Sequence, residues 1–308
     1  MAAGGGGYPS EMSFTLDPTV PIPESVQKTA RNELERIVAA LSGQAGLDPD
    51  SAAHDARKRT KKLRALLRLV RPQLGQRTYR RENRALRDAA RQLSGVRDAW
   101  VLVEALDGLL IPAADALSDH AVAALRTALV EEHRRLQAGQ GEHDSLARAA
   151  ADYERALARV ERWRLRDRGW GSLDDGLETV VRDGRRHMER AVSGGGAEEF
   201  HEWRKQVKYL RHQFEPVSPV WPDVLEAMAG AAAEIGDLLG TDHDLAVLRD
   251  RVVSAPGLTD DTRRMLLERI DDRRRNCQRE AIALGRRLYA EKPSALTSRL
   301  GRLWKAAA

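Results

Sequence analysis

Cysteine is almost missing from this chain: Cys277 is the only one in 308 residues. A lone thiol cannot close an intramolecular disulfide, and it fits a reducing compartment. Its highly charged surroundings predict a spectator, not a nucleophile. Aromatic residues make up only 5% of the chain, too few to interleave a stacking platform with cations. No apolar run approaches the roughly 18–20 residues that a membrane span needs. The Gly-rich start, Met1 to Glu11, lacks the basic-then-apolar order of a secretion signal. Together these absences predict a cytoplasmic protein with no membrane partner and a flexible N-terminal tail over 1–23. Period-2 runs of β-branched residues are scarce too, which argues against sheets.

What is abundant is Ala, Leu, Arg and Glu in helical periodicity. Pro18, Pro21 and Pro23 mark an extended lead-in, and the first helix is expected from about Glu24 to Ser42. Further Pro/Gly breaks at 72–75, 108–112, 139–141, 169–176, 194–196, 216–222 and 256–257 leave stretches of the length found in helical bundles. The predicted class is all-α.

Charge is segregated along the chain. The net charge is +5, yet Asp55–Arg91 holds fourteen Lys and Arg against Asp55, Glu82 and Asp88. That local excess of +11 leaves the remainder near −6, a pattern that points to a polyanion partner. An internal repeat accompanies it. His54, Arg57, Lys58, Lys61 and Arg64 spell H-x2-R-K-x2-K-x2-R, and His201, Arg204, Lys205, Lys208 and Arg211 repeat it 147 residues on. Leu93-Ser94-x3-Asp98-x3-Leu102 finds a counterpart in Leu239-Gly240-x3-Asp244-x3-Leu248. The expected organisation is a first helical repeat over 24–168, a linker over 169–176 and a second repeat over 177–308. The two copies are expected to face each other across a pseudo-two-fold axis.

On a helical wheel, His54, Arg57, Lys58, Lys61, Arg64 and Arg68 fall within about 120° of one another, opposite Leu63, Leu66, Leu67 and Val70. The second motif separates in the same way, with Trp203, Leu210 and Phe214 on its apolar side. Arg80, Arg84, Arg87 and Arg91 form a one-sided ladder within about 60°. Arg182, Arg185, Arg186 and Arg190 form a looser row, interrupted by Glu189. A solvated helix face normally mixes signs to form i,i+4 pairs, whereas these stripes set like charges at that spacing, which is mildly destabilising without a counter-anion. Arg offers bidentate hydrogen bonds to phosphate oxygens and Lys an adaptable point charge. A repeating anion such as inorganic polyphosphate matches such rows, because every unit carries charge and no base has to be read.

The doubled H-x2-R-x3-K-x2-R motif, each copy followed by an L-(G/S)-x3-D block, resembles the CHAD family, the conserved-histidine α-helical domains. The stretch from Phe200 to Leu210 is especially similar, and the resemblance covers roughly 24–300. It implies two four-helix-type bundles related by a pseudo-two-fold with a basic cavity or groove between them. It also implies polyphosphate binding, association with polyphosphate granules, and polyphosphate- or triphosphate-processing enzymes as partners. Ser94 departs from the family's usual Gly, and the helix before Asp244, with Glu226 and Glu234 but no Lys or Arg from Val224 to Glu234, does not mirror the arginine ladder. The site is therefore expected to be lopsided.

The residues predict no enzyme, cofactor or metal. Phosphoryl transfer needs Mg²⁺ ligands and a positioned nucleophile or base, and neither a Walker loop nor paired carboxylates inside the stripes is present. The cations around His54 repel a metal. His243, between Asp242 and Asp244, belongs to a cluster of a kind that can bind a cation, but a helix N-terminal capping group is the commoner reading. Asp98 and Asp244 read as structural support, locking stripe cations or capping helices. Nucleic-acid binding and a role as adaptor for a polyphosphate- or triphosphate-processing enzyme are the alternative functions.

Overall fold

The computed structural model describes residues 14–93, 97–110, 120–138 and 142–308, with the backbone only at 97–99, 136–138 and 142–144. The described residues form twelve α-helices and no strand, the class that the periodicity predicts. No described helix is long and apolar enough to cross a membrane.

Helix α1 (Ile22–Leu41) starts two residues earlier than expected and buries Ile22, Val26, Ala30, Leu34, Ile37 and Leu41. The expected tail needs correction from Phe14 onward. Phe14 and Leu16 are buried, and the Leu16 amide donates to the Pro216 carbonyl at 2.8 Å. These two side chains carry no periodicity that a sequence could show, but burying them still removes apolar surface from water.

Helix α2 (Pro49–Leu69) carries the first motif. Asp48 caps it, accepting from the Ser51 amide at 3.0 Å, and Pro49 sits at the first turn, where a missing N–H costs nothing. After the short α3 (Arg71–Leu74), Gly75 turns the chain at φ +83° into α4 (Gln76–Arg91). The next elements are α5 (Arg97–Leu110), α6 (His120–Ala138), α7 (Glu142–Val160) and α8 (Asp174–Val192). Helix α9 (Ala197–Val217) carries the second motif. It is followed by the long α10 (Pro222–Ser254), α11 (Asp260–Leu288) and α12 (Pro293–Ala307).

Two apolar clusters organise these helices. The larger takes side chains from α1, α2, α4, α7, α8, α9, α12 and the near ends of α10 and α11. It draws on both sides of the 169–176 stretch, whose Trp170 and Leu173 are buried in it. The smaller is built from α5, α6, the last turns of α10 from Leu245 and the first of α11 to Ile270. Between the clusters, α10 and α11 are joined by a buried polar contact: Asp242 accepts from Arg274 Nε at 3.0 Å and Gln278 Nε2 at 2.8 Å.

Several glycines allow close approach, two of them where helices of the larger cluster cross. A Cβ on Gly176 of α8 would lie 1.7 Å from the Leu69 carbonyl oxygen of α2. One on Gly285 of α11 would lie 2.6 Å from the Trp203 ring of α9. Side-chain-free positions let these helices seat directly on one another.

Candidate anion-binding face

The two motif helices pack on each other. Lys62 Nζ meets Glu215 Oε2 at 3.1 Å, the Arg68 guanidinium lies 3.9 Å from the centre of the Tyr209 ring, and Gln213 Nε2 donates to the Ala65 carbonyl at 3.3 Å. Residue numbers rise along α2 as they fall along α9, so the helices run antiparallel. Position 62 meets 215 and position 68 meets 209, and 209 and 215 stand 147 residues after 62 and 68, the offset that separates the motifs. With contacts exchanged in this way, rows at equal angles from the contact line face the same side of the pair. The basic stripes of α2 and α9 therefore share one face. Lys61 lies close enough to Lys208 to act on its charge.

Helix α4 flanks α2. Arg64 Nε donates to Asn83 Oδ1 at 3.0 Å, and the ladder lies on the turns around Asn83. The one acid of this helix that is fully buried, Glu82, is turned into the protein between Arg81 and Arg159 of α7, at 2.7 and 3.1 Å. Its engagement fixes how α4 is rotated. Arg80 and Arg84 are exposed and form no ion pair among the described residues. Arg87 bonds to Asp88 at 2.9 Å and Arg91 approaches it at 3.8 Å, so these two have a local counter-charge. Those arginines hold the Asp88 carboxyl below the usual range, the Arg87 hydrogen bond most of all.

Helix α10 flanks α9, and here two glycines decide the geometry. A Cβ on Gly240 would lie 3.3 Å from Arg204 Nη2, and one on Gly236 would lie 3.8 Å from Lys208 Cγ. The Arg204 guanidinium and the Lys208 stem thus lie across bare helix backbone. The His201 and His243 rings lie beside them, tilted by 40° with centroids 4.5 Å apart. Burial, then Arg204 and Lys61, push Lys208 down to about 8 against the pull of Asp244 and Asp237. Burial, then His201, Arg204 and Lys208, lower His243 as well. Arg204 Nε and His201 Nδ1 are buried with no hydrogen-bond partner among the described residues. A cluster of like charges with unpaired donors is costly alone and favourable around an anion.

The remaining expected site residues divide into two groups. His54, Lys58 and Lys61 are exposed on α2, with Arg57, Arg64 and Arg68 partly buried. On α9, Lys205 is ion-paired with Glu202, and Arg211 lies 3.9 Å from Glu215. On α8, Arg182 pairs with Glu178 at 3.1 Å and Arg186 with Asp183 at 3.0 Å, the mixed-sign pattern of an ordinary solvated helix face. Asp244 does act on a stripe cation, Lys208. Ser94 and the Asp98 side chain lie outside the described residues. His243 is corrected: it sits in the middle of the continuous 33-residue α10 and caps nothing. Gly236 and Gly240, on two turns of that helix, leave room for Arg204 and Lys208 of α9.

Asn83, Tyr209, Gly236 and His243 were not singled out as site residues. The Gly-x3-Gly spacing was the available signal, since it places both glycines on one face of a helix.

The family model described as CHAD domain matches residues 28–253. Among solved structures, PptA from Streptomyces chartreusis superposes with a TM-score of 0.60, covering 88% of this chain and 100% of that one at 13% identity. At that identity the likeness concerns the fold alone. No curated protein matches the sequence.

Proposed function

Since the chain belongs to the CHAD domain family, we propose that it binds inorganic polyphosphate without transforming it, on the basic face that α4, α2, α9 and α10 share. What supports this most is the convergence of two stripes 147 residues apart onto one side of an antiparallel helix pair, with Lys61 beside Lys208 and Arg204. Arg and Lys at that density provide charge-assisted hydrogen bonds to successive phosphoryl groups. The neighbouring carboxylates Glu82, Asp88 and Asp242 are engaged by the protein's own arginines, and Asp237 and Asp244 act on Lys208, which supports a face built to hold the chain. Binding of this kind would direct the protein to polyphosphate granules and bring it beside polyphosphate-metabolising proteins.

The test is calorimetric titration with long-chain polyphosphate, with duplex DNA as competitor. Saturable polyphosphate binding that DNA displaces poorly, with no orthophosphate released, is the expected result. DNA binding of equal or greater strength would replace this reading with nucleic-acid recognition.

A further inference from the structure

The lysines of this chain divide by environment. Six of the eight are exposed, among them Lys58, Lys61 and Lys205 of the two motifs. Only Lys62 and Lys208 are drawn out of solvent, and different groups meet them. Lys62 is balanced by Glu215 at 3.1 Å. Lys208 stands in a niche beside the bare Gly236 and Gly240 backbone of α10. Arg204, one turn back on α9, and Lys61 of α2 act on it as like charges, and the paired His201 and His243 rings lie next to it. Neither Lys208 nor Arg204 forms an ion pair among the described residues, and Asp237 and Asp244 reach Lys208 through space alone. We propose that Lys208 is a carbon dioxide site, whose amine adds CO2 to form a carbamate held by Arg204 and His201. The inference goes beyond polyphosphate binding and rests on that reading in one respect, that the polyanion covers the same niche.

The step is simple and balances. The ammonium releases one proton to solvent, and its nitrogen bonds to the carbon of CO2. One C=O electron pair moves onto oxygen, and a second N–H proton leaves to solvent. A cation has become an anion.

Two features of the niche carry the inference. The first is an unmet demand for an anion. Arg204 Nε and His201 Nδ1 are buried with no hydrogen-bond partner among the described residues. A carbamate spreads one negative charge over two oxygens, the arrangement a guanidinium grips best. Formed on Lys208, it turns a cluster of like charges into a partnered one.

The second is the amine. Only a neutral amine adds CO2. Burial, then Arg204 and Lys61, hold Lys208 at about 8 against Asp244 and Asp237. About half of it is therefore neutral at pH 8, where an ordinary lysine is neutral to less than about 1%. Burial, then His201, Arg204 and Lys208, lower His243 as well, so that ring is neutral at the same pH. The reagent suits the place too, since CO2 is small and uncharged and enters a partly buried niche without an ion's desolvation cost.

The experiment exposes the full chain at pH 8 to ¹³C-labelled CO2 and bicarbonate, with chloride at equal ionic strength as control. Carbamates are trapped with triethyloxonium as ethyl esters and located by peptide mass spectrometry. Lys208 should carry at least about tenfold more label than Lys58 or Lys205, the margin its larger neutral fraction allows. Long-chain polyphosphate should erase the label at Lys208, and saturating CO2 should in turn weaken polyphosphate binding about tenfold, since the coupling is reciprocal. Lys208→Arg should lose both effects. Label at Lys208 no higher than at the exposed lysines would overturn the carbamate and leave polyphosphate binding standing. A Lys208 carbamate that polyphosphate leaves in place would overturn the reading of this face as the polyanion's site and leave the carbamate standing. The wild-type protein decides both points even if Lys208→Arg does not fold.

Discussion

At the scale of single residues, Lys208 is the most informative group. Its ammonium is held at about 8, below the ordinary lysine value of 10.5, by burial and then by Arg204 and Lys61. The sign follows from linkage. A lysine whose folded value is depressed penalises the folded state while charged, and the penalty is relieved as pH climbs from about 8 towards 10.5. An anion in the niche would restore the charge. Binding near pH 8 should therefore take up a proton, and affinity should fall as pH rises through 8. Titration calorimetry in two buffers of different ionisation heat measures the uptake directly. Lys208→Arg, which stays charged, should abolish both effects. Glu215 is a second case. Burial raises it, but His212 and Lys62 outweigh burial and hold it at about 2. The Lys62–Glu215 link then adds stability above the ordinary carboxylate range, lost only as pH falls towards 2. Glu215→Gln should flatten the acid limb of a stability–pH curve measured by urea unfolding.

At the scale of helices, the two glycine contacts predict opposite outcomes from the same substitution. Gly240→Ala adds a methyl 3.3 Å from the movable tip of Arg204, and alanine is a better helix former by about 1 kcal/mol. Thermal melting should show equal or higher stability while polyphosphate affinity drops, because the guanidinium is displaced. Gly176→Ala puts its methyl 1.7 Å from a backbone oxygen that cannot swing away, and it should cost about 3 kcal/mol. How far the sequence revealed these elements follows from the same physics. The α2 and α9 stripes were legible because helical spacing places Arg57, Lys61 and Arg64, or Arg204, Lys208 and Arg211, on one side whatever packs behind them. The extent of α10 was legible too, since the breaks at 216–222 and 256–257 leave nothing between them. The part that Gly236 and Gly240 play against Arg204 and Lys208 was not, because a glycine's close neighbour is set by packing. Phe14 and Leu16 gave no periodic signal. Glu178 and Asp183 were visible at i−4 and i−3 from Arg182 and Arg186, and they give that row a local counter-charge.

At the scale of the whole molecule, binding by two rows of cations should release counterions, so log affinity for polyphosphate should fall linearly with log salt. Replacing Arg84 and Arg87 with Ala should lower the slope, and it should weaken short chains by about tenfold or more and long chains proportionally less, since the latter keep the α9–α10 contacts. Fluorescence titrations across a salt series with a short and a long oligomer check both. The two long helices have a different consequence. Helices α10 and α11 each begin in one apolar cluster and end in the other, with Asp242 and Arg274 clasped between. Neither cluster can lose its share of these helices without fraying the other's, since helix formation is cooperative along its length. The two hydrophobic centres are thus wired in series. A scanning calorimeter should record one endotherm, and hydrogen exchange should give the amides at the middle of α10 the protection of global unfolding rather than that of a local opening.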